Sequence, residues 1–162
     1  MTRAKRRLPG VEASESPRPR KSKSPARRSP AAPRPGSLHI LVVENHPDMR
    51  LGLEVFLKLL GHRVRFAHDA AAALALASEE TFDLLLSDIS LPDGDGWQLL
   101  RQLEAAGHRP ARAVAMSGLG SATDLAKSRA AGFVAHLIKP FQPEELEAAL
   151  RLPPPLRLRA PE

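Results

Sequence analysis

The sequence predicts an α/β protein with a parallel sheet covered by helices on both faces. Two observations predict it. Short apolar runs alternate five times with segments of helical periodicity between His39 and Leu150. The first of these runs, His39-Ile-Leu-Val-Val-Glu44, is apolar almost throughout, as suits a strand buried on both sides. Consecutive βα units wind a parallel sheet through right-handed crossovers, which leaves few topologies open.

The elements follow in order. After the first strand, Pro47 opens a helix, where a fixed φ and a missing N–H cost little. Leu53, Phe56, Leu57 and Leu60 keep the i, i+3, i+4, i+7 spacing, and Gly61 ends the helix. Residues 62–67 alternate as an edge-type strand, and Asp69 is placed to cap an alanine-rich helix at 70–79. Residues 83–87 form the third strand, and a helix over 95–106 stops near Gly107. Residues 112–116 form the fourth strand, and a helix over 121–131 stops at Gly132. Residues 133–138 form the fifth strand, and the last helix, 143–150, runs into three prolines.

Composition divides the chain. Residues 1–36 hold eleven Lys or Arg against two acids, Glu12 and Glu15, and seven prolines with almost nothing large and apolar. Such a segment buries too little surface to offset its ordering entropy, so a disordered tail is expected over 1–36. It reads either as a solvated leader or as a weak, sequence-blind contact for nucleic acid or anionic lipid. A folded domain is expected over 37–151 and a short Pro/Arg-rich tail over 152–162. Beyond residue 36, thirteen basic residues face sixteen acidic ones, so the pI of 10.5 belongs to the tail.

With no cysteine, disulfides, thiol catalysis and Cys-type zinc sites are excluded, and a reducing cytosol fits. No apolar run reaches membrane-spanning length. The basic N-terminus lacks the apolar stretch of a secretory signal and the amphipathic face of a transit peptide. A cytoplasmic location, without membrane contact, is expected.

In open parallel sheets ligands bind beyond the carboxyl ends of the strands. The first strand delivers Glu44-Asn45 there, the third Asp88, the fourth Ser117-Gly118 and the fifth Lys139-Pro140. Each has a plain structural explanation alone, as a turn residue, a cap or a solvated cation. Together they form a consistent chemistry. A carboxylate can act as a nucleophile and form an acyl phosphate. Mg²⁺ takes hard oxygen ligands, and a lysine with a hydroxyl can hold the remaining phosphoryl oxygens.

Four stretches, Ile40–Pro47, Leu84–Gly96, Ala113–Gly118 and Ala135–Phe141, make the chain resemble the receiver domain of two-component response regulators. The resemblance covers residues 38–150. It implies a flavodoxin-like, doubly wound five-stranded sheet of order 2-1-3-4-5. It places Asp88 on the phosphoacceptor, Glu44 on the first acid of the metal-binding pair, and Ser90 on the position whose main-chain carbonyl completes the metal shell. Ser117 and Lys139 fall on the groups that contact the phosphoryl group. Pro140 falls on a bond that the family often keeps cis, and Pro92, Asp95 and Gly96 match the loop after the acceptor.

Two positions depart from the family pattern. Asn45 stands where the second metal acid is usual, offering a carbonyl oxygen without charge. A unit charge about 4 Å away is worth roughly 4 kcal/mol at an effective dielectric near 20, so weakened Mg²⁺ binding is expected. Asn45 also reads as a helix cap. His136 stands where the family places Tyr or Phe, the aromatic that acts with Ser117 as a switch; it reads equally as a surface strand histidine.

The resemblance implies a phosphorelay signalling protein of the single-domain type. It would take a phosphoryl group from a histidine kinase or histidine phosphotransfer protein, with self-catalysed acceptance and slow self-dephosphorylation but no enzymatic turnover. Output is expected through contact with a downstream protein or onward phosphotransfer, without specific DNA binding. A pseudo-receiver working without phosphorylation is the alternative that Asn45 keeps open. A Mg²⁺-dependent phosphohydrolase is the third reading, and it lacks the usual acid two residues after the nucleophile, where Ser90 stands.

Overall fold

The computed structural model describes Gly10, residues 35–118 and residues 120–155. The basic tail expected over 1–36 lies outside the described residues apart from Gly10, Pro35 and Gly36, and the C-terminal tail does so from residue 156. All elements fall within the unit Pro33–Glu162.

Strand β1 (His39–Val43) leads into helix α1 (Pro47–Leu59), then β2 (Arg63–Ala67), α2 (Ala70–Glu79) and β3 (Leu84–Asp88). A small antiparallel hairpin follows, β4 (Ser90–Leu91) and β5 (Gly94–Asp95), and feeds α3 (Gly96–Ala105). The chain closes with β6 (Arg112–Ser117), α4 (Ala122–Ala131), β7 (Ala135–Ile138) and α5 (Pro143–Leu150). The five long strands are all parallel, in the order β2-β1-β3-β6-β7. This is the flavodoxin-like order 2-1-3-4-5 predicted above.

Alternation along each strand builds two cores, because successive side chains leave opposite faces of a sheet. Ile40, Val42, Leu84, Leu86, Val114 and Met116 pack with Leu53 and Leu57 of α1 and Leu146 and Leu150 of α5. Leu41, Val43, Leu85, Ala113 and Ala115 pack on the other side with Ala73 and Ala77 of α2 and Leu99, Leu100 and Leu103 of α3. Every residue of β3 is buried, as befits the central strand, whereas β2 at the edge alternates exposed and half-buried positions until the buried Ala67. Burying each leucine side chain contributes about 1.5–3 kcal/mol, which fixes strand register and thereby the residues that reach the rim.

Helix starts follow the expected chemistry with one correction. Asp69 accepts from the Ala72 amide at 2.7 Å and caps α2. The N-cap of α1 is His46, not Asn45, and its side chain makes no capping bond. Pro47 supplies the first helical φ in its place. The β4–β5 hairpin is absent from the sequence reading, since two-residue strands carry no periodicity. The last strand begins at Ala135, two residues later than expected, because Phe133 closes the turn after the left-handed Gly132.

Candidate functional site: a carboxylate rim bridged by lysine

The carboxyl ends of β1, β3 and β7 converge on one ion-pair cluster. Lys139 Nζ lies 2.7 Å from Glu44 Oε2 and 2.7 Å from Asp88 Oδ2, so one ammonium bridges two acids far apart in sequence. The main chain aims it: the Lys139 amide donates to the Ser117 carbonyl at 2.8 Å, one step past the β6–β7 ladder. The Lys139–Pro140 bond is cis. Burial works against the Lys139 charge, but hydrogen bonds and attraction from Asp88 and Glu44 outweigh it and hold its pKa above the ordinary lysine value.

The two carboxylates are in different surroundings. Glu44 is fully buried, and its other oxygen accepts from the His46 amide at 2.9 Å. Asp88 is 7% exposed, and its Oδ1 accepts from the Ser90 amide at 2.9 Å. A cleft of 440 Å³ opens over Asp88, walled by Asn45, His46, Ser90, Pro92, Gly118 and Lys139. Glu44 stands behind this wall. A larger groove of 760 Å³ between α1 and α5 is mostly apolar, and its lining contains neither of these carboxylates nor the lysine, so the polar chemistry belongs to the smaller cleft.

The loop after Asp88 is held close. Gly96 is obligatory there: a Cβ would come within 2.6 Å of the Asp88 carbonyl oxygen. Asp95 caps α3 through the Gln98 amide at 2.7 Å. These contacts give structural reasons for two of the three loop residues singled out above, and Pro92 forms part of the cleft wall.

Ser117 is buried at the end of β6, beside Gly118, whose surface does reach the cleft. His136 is half-buried, not a bare surface residue. Its Nδ1 is 2.7 Å from Ser128 Oγ, which also accepts from Trp97 Nε1 at 2.8 Å, so a buried hydroxyl joins α3, α4 and β7. His136 was singled out from the sequence, whereas its partners Ser128 and Trp97, and likewise His46 and Asp93, were not. Ser128, Trp97 and Asp93 carried no role of their own in the sequence, because each acts through contacts between elements distant along the chain.

The donor set fits a hard cation. Asp88, Asn45 and Ser90 line one cleft, and carboxylate and carbonyl oxygens such as these residues carry are the ligand type Mg²⁺ prefers. Among the described residues no group of three His, Cys, Asp or Glu side chains is placed to hold a metal, so neutral oxygens would complete the shell. Two carboxylates against one ammonium leave a formal charge of −1.

A family model for the response regulator receiver domain matches residues 40–151. The chain therefore belongs to the response regulator receiver domain family, the receiver modules of two-component phosphorelay signalling. It is 34% identical over 124 residues to the gliding motility regulatory protein of Myxococcus xanthus, covering 74% of this chain and 15% of that one. The chain spans less than half the length of curated relatives that it matches. A response regulator receiver domain protein (CheY-like) from Methanospirillum hungatei superposes with a TM-score of 0.65 at 29% identity, covering 71% and 91% of the two chains. The receiver domain of sensor histidine kinase PA1611 from Pseudomonas aeruginosa superposes at 0.64 with 30% identity, covering 71% and 95%, and that structure carries magnesium in its active-site cleft. Among the described residues no helix is long and apolar enough to cross a membrane.

Proposed function

We propose that this receiver accepts a phosphoryl group on Asp88 from a phosphohistidine of a histidine kinase or histidine phosphotransfer protein. One observation carries the reading: Asp88 is the rim carboxylate that opens onto the cleft, with the Lys139 ammonium 2.7 Å away. An O–P bond forms to an Asp88 carboxylate oxygen as the P–N bond breaks. The bonding pair stays on the imidazole nitrogen, which takes a proton. Lys139 holds a phosphoryl oxygen as charge spreads over the group, and the Ser90 amide orients the acceptor carboxylate. Mg²⁺, held by Asp88, the Asn45 carbonyl and the Ser90 main-chain carbonyl with Glu44 behind them, would supply further positive charge, with affinity lowered by Asn45.

The added charge draws on Lys139 and Ser117 and biases the packing of β7 and α4, where His136 is joined to Ser128. Output passes by protein–protein contact or onward phosphotransfer, in the cytoplasm. The basic tail over 1–36 adds at most weak polyanion binding.

The pseudo-receiver reading has its own support. Lys139 already neutralises one of the two carboxylate charges, and Asn45 adds none. Incubation with acetyl phosphate and Mg²⁺ followed by intact mass separates the two. An adduct of about 80 Da, absent in Asp88→Ala, supports phosphoacceptance. An unmodified mass at saturating Mg²⁺ and Mn²⁺ overturns it in favour of the pseudo-receiver.

A further inference from the structure

Helix α2 begins with amides that its own turn leaves without partners. Asp69 supplies two acceptors: its side chain takes the Ala72 amide at 2.7 Å and its carbonyl takes the Ala73 amide at 3.2 Å. The Ala70 and Ala71 amides lie beyond its reach. They are taken by Asp93, at 2.8 Å through Oδ1 and 2.9 Å through Oδ2, from 23 and 22 residues away. A carboxylate here is further favoured by the positive end of the helix dipole.

Asp93 sits at the tip of the hairpin whose first strand starts at Ser90. That hairpin has two residues per strand, paired Ser90 with Asp95 and Leu91 with Gly94, too little to hold its shape alone. Its base is tied to the acceptor through the Ser90 amide on Asp88 Oδ1, and is closed by the Gly96 amide on the Ile89 carbonyl at 2.9 Å. Its outer wall, Leu91 and Pro92, borders the cleft. Leu91 seats the first strand in the core, so the part of the hairpin left for Asp93 to hold is the exposed tip, Pro92 to Gly94.

We propose that Asp93 is a positioning residue for the acceptor cleft. Its two-oxygen clamp on the N-terminus of α2 holds the hairpin so that Ser90 stays on Asp88 and the cleft wall keeps its shape. The clamp reaches the chemistry through Ser90 and Pro92 and touches no reacting atom. The functional half of this inference rests on Asp88 being a phosphoacceptor; the structural half does not.

Asp69→Ala is the control, because it removes a cap from the same helix end without touching the hairpin. The measurements are amide exchange at Ser90 and Gly96, thermal midpoint, and the rate of adduct formation from acetyl phosphate as a function of Mg²⁺. In Asp93→Ala, exchange at Ser90 is expected to rise and the Mg²⁺ needed for half-maximal labelling to rise roughly tenfold, the scale seen when a supporting shell around a metal site is removed. The rate at saturating Mg²⁺ stays near that of the unaltered protein. Asp93→Asn, which keeps one acceptor oxygen, falls between the two. Asp69→Ala lowers the thermal midpoint and leaves Ser90 exchange and the Mg²⁺ requirement alone. Unchanged Ser90 exchange in Asp93→Ala, or equal changes in both alanine variants, overturns the inference. If the unaltered protein takes no phosphoryl group, phosphoacceptance fails while Ser90 exchange still decides whether Asp93 holds the hairpin.

Discussion

Lys139 Nζ stands 2.7 Å from a carboxylate oxygen of Glu44, a side chain with no solvent exposure at all. A buried carboxylate is tolerated because a cation and the His46 amide meet its two oxygens. Removing the cation strands the charge. Lys139→Met is expected to lose about 3 kcal/mol of unfolding free energy in chelator at pH 8, measured by urea titration. The double variant Lys139→Met, Glu44→Gln should recover most of that loss, because the fully buried charge is gone and only Asp88, which opens onto the cleft, is left without the cation; no recovery would assign the loss to packing.

Gly96 lies against the main chain of Asp88. Gly96→Ala is expected to cost about 1–3 kcal/mol, since the Cβ meets a backbone oxygen that has no rotamer to move into. The urea midpoint reads it, and Gly107→Asn, at a left-handed turn with open space around it, should cost clearly less.

Ser128 joins Trp97 and His136 through one hydroxyl. Ser128→Ala removes the shared partner of an indole N–H and an imidazole nitrogen and should cost about 1–2 kcal/mol. Trp97 is the only tryptophan, so its emission reports the change directly. An emission spectrum and urea midpoint equal to those of the unaltered protein would remove the bridge from the account of how α3, α4 and β7 hold together.

His62 sets an acid-side pH dependence. Burial, reinforced by Arg112, holds its pKa below the ordinary value of 6.5, and its Nδ1 accepts from the Leu38 amide at 3.1 Å. The neutral imidazole is therefore the form that the fold favours. Its contribution is complete above pH 6.5 and is lost as pH falls toward and through the lowered folded value. His62→Gln should flatten the stability profile in that window; an unchanged slope would place the pH dependence elsewhere.

Much of the fold and part of the site were legible in the sequence. Apolar runs such as Ile40–Val43 and Leu84–Leu86, with helix punctuation at Pro47, Asp69, Gly132 and Pro143, determine the number and order of the main elements, because hydrophobic period and cap chemistry are local properties. The residues ending each strand were legible for the same reason: a parallel sheet sends Glu44, Asp88, Ser117 and Lys139 to one edge whatever the helices do. Only the tertiary structure decided how those groups share the edge. It turned Glu44 inward onto Lys139 and left Asp88 facing the cleft, it gave the cap of α1 to His46, and it brought Asp93 to α2 and Ser128 between Trp97 and His136. These contacts join elements distant in sequence and form only once packing has fixed the distances. Hydrogen bonds need donor and acceptor within about 3 Å, a condition that no periodicity encodes.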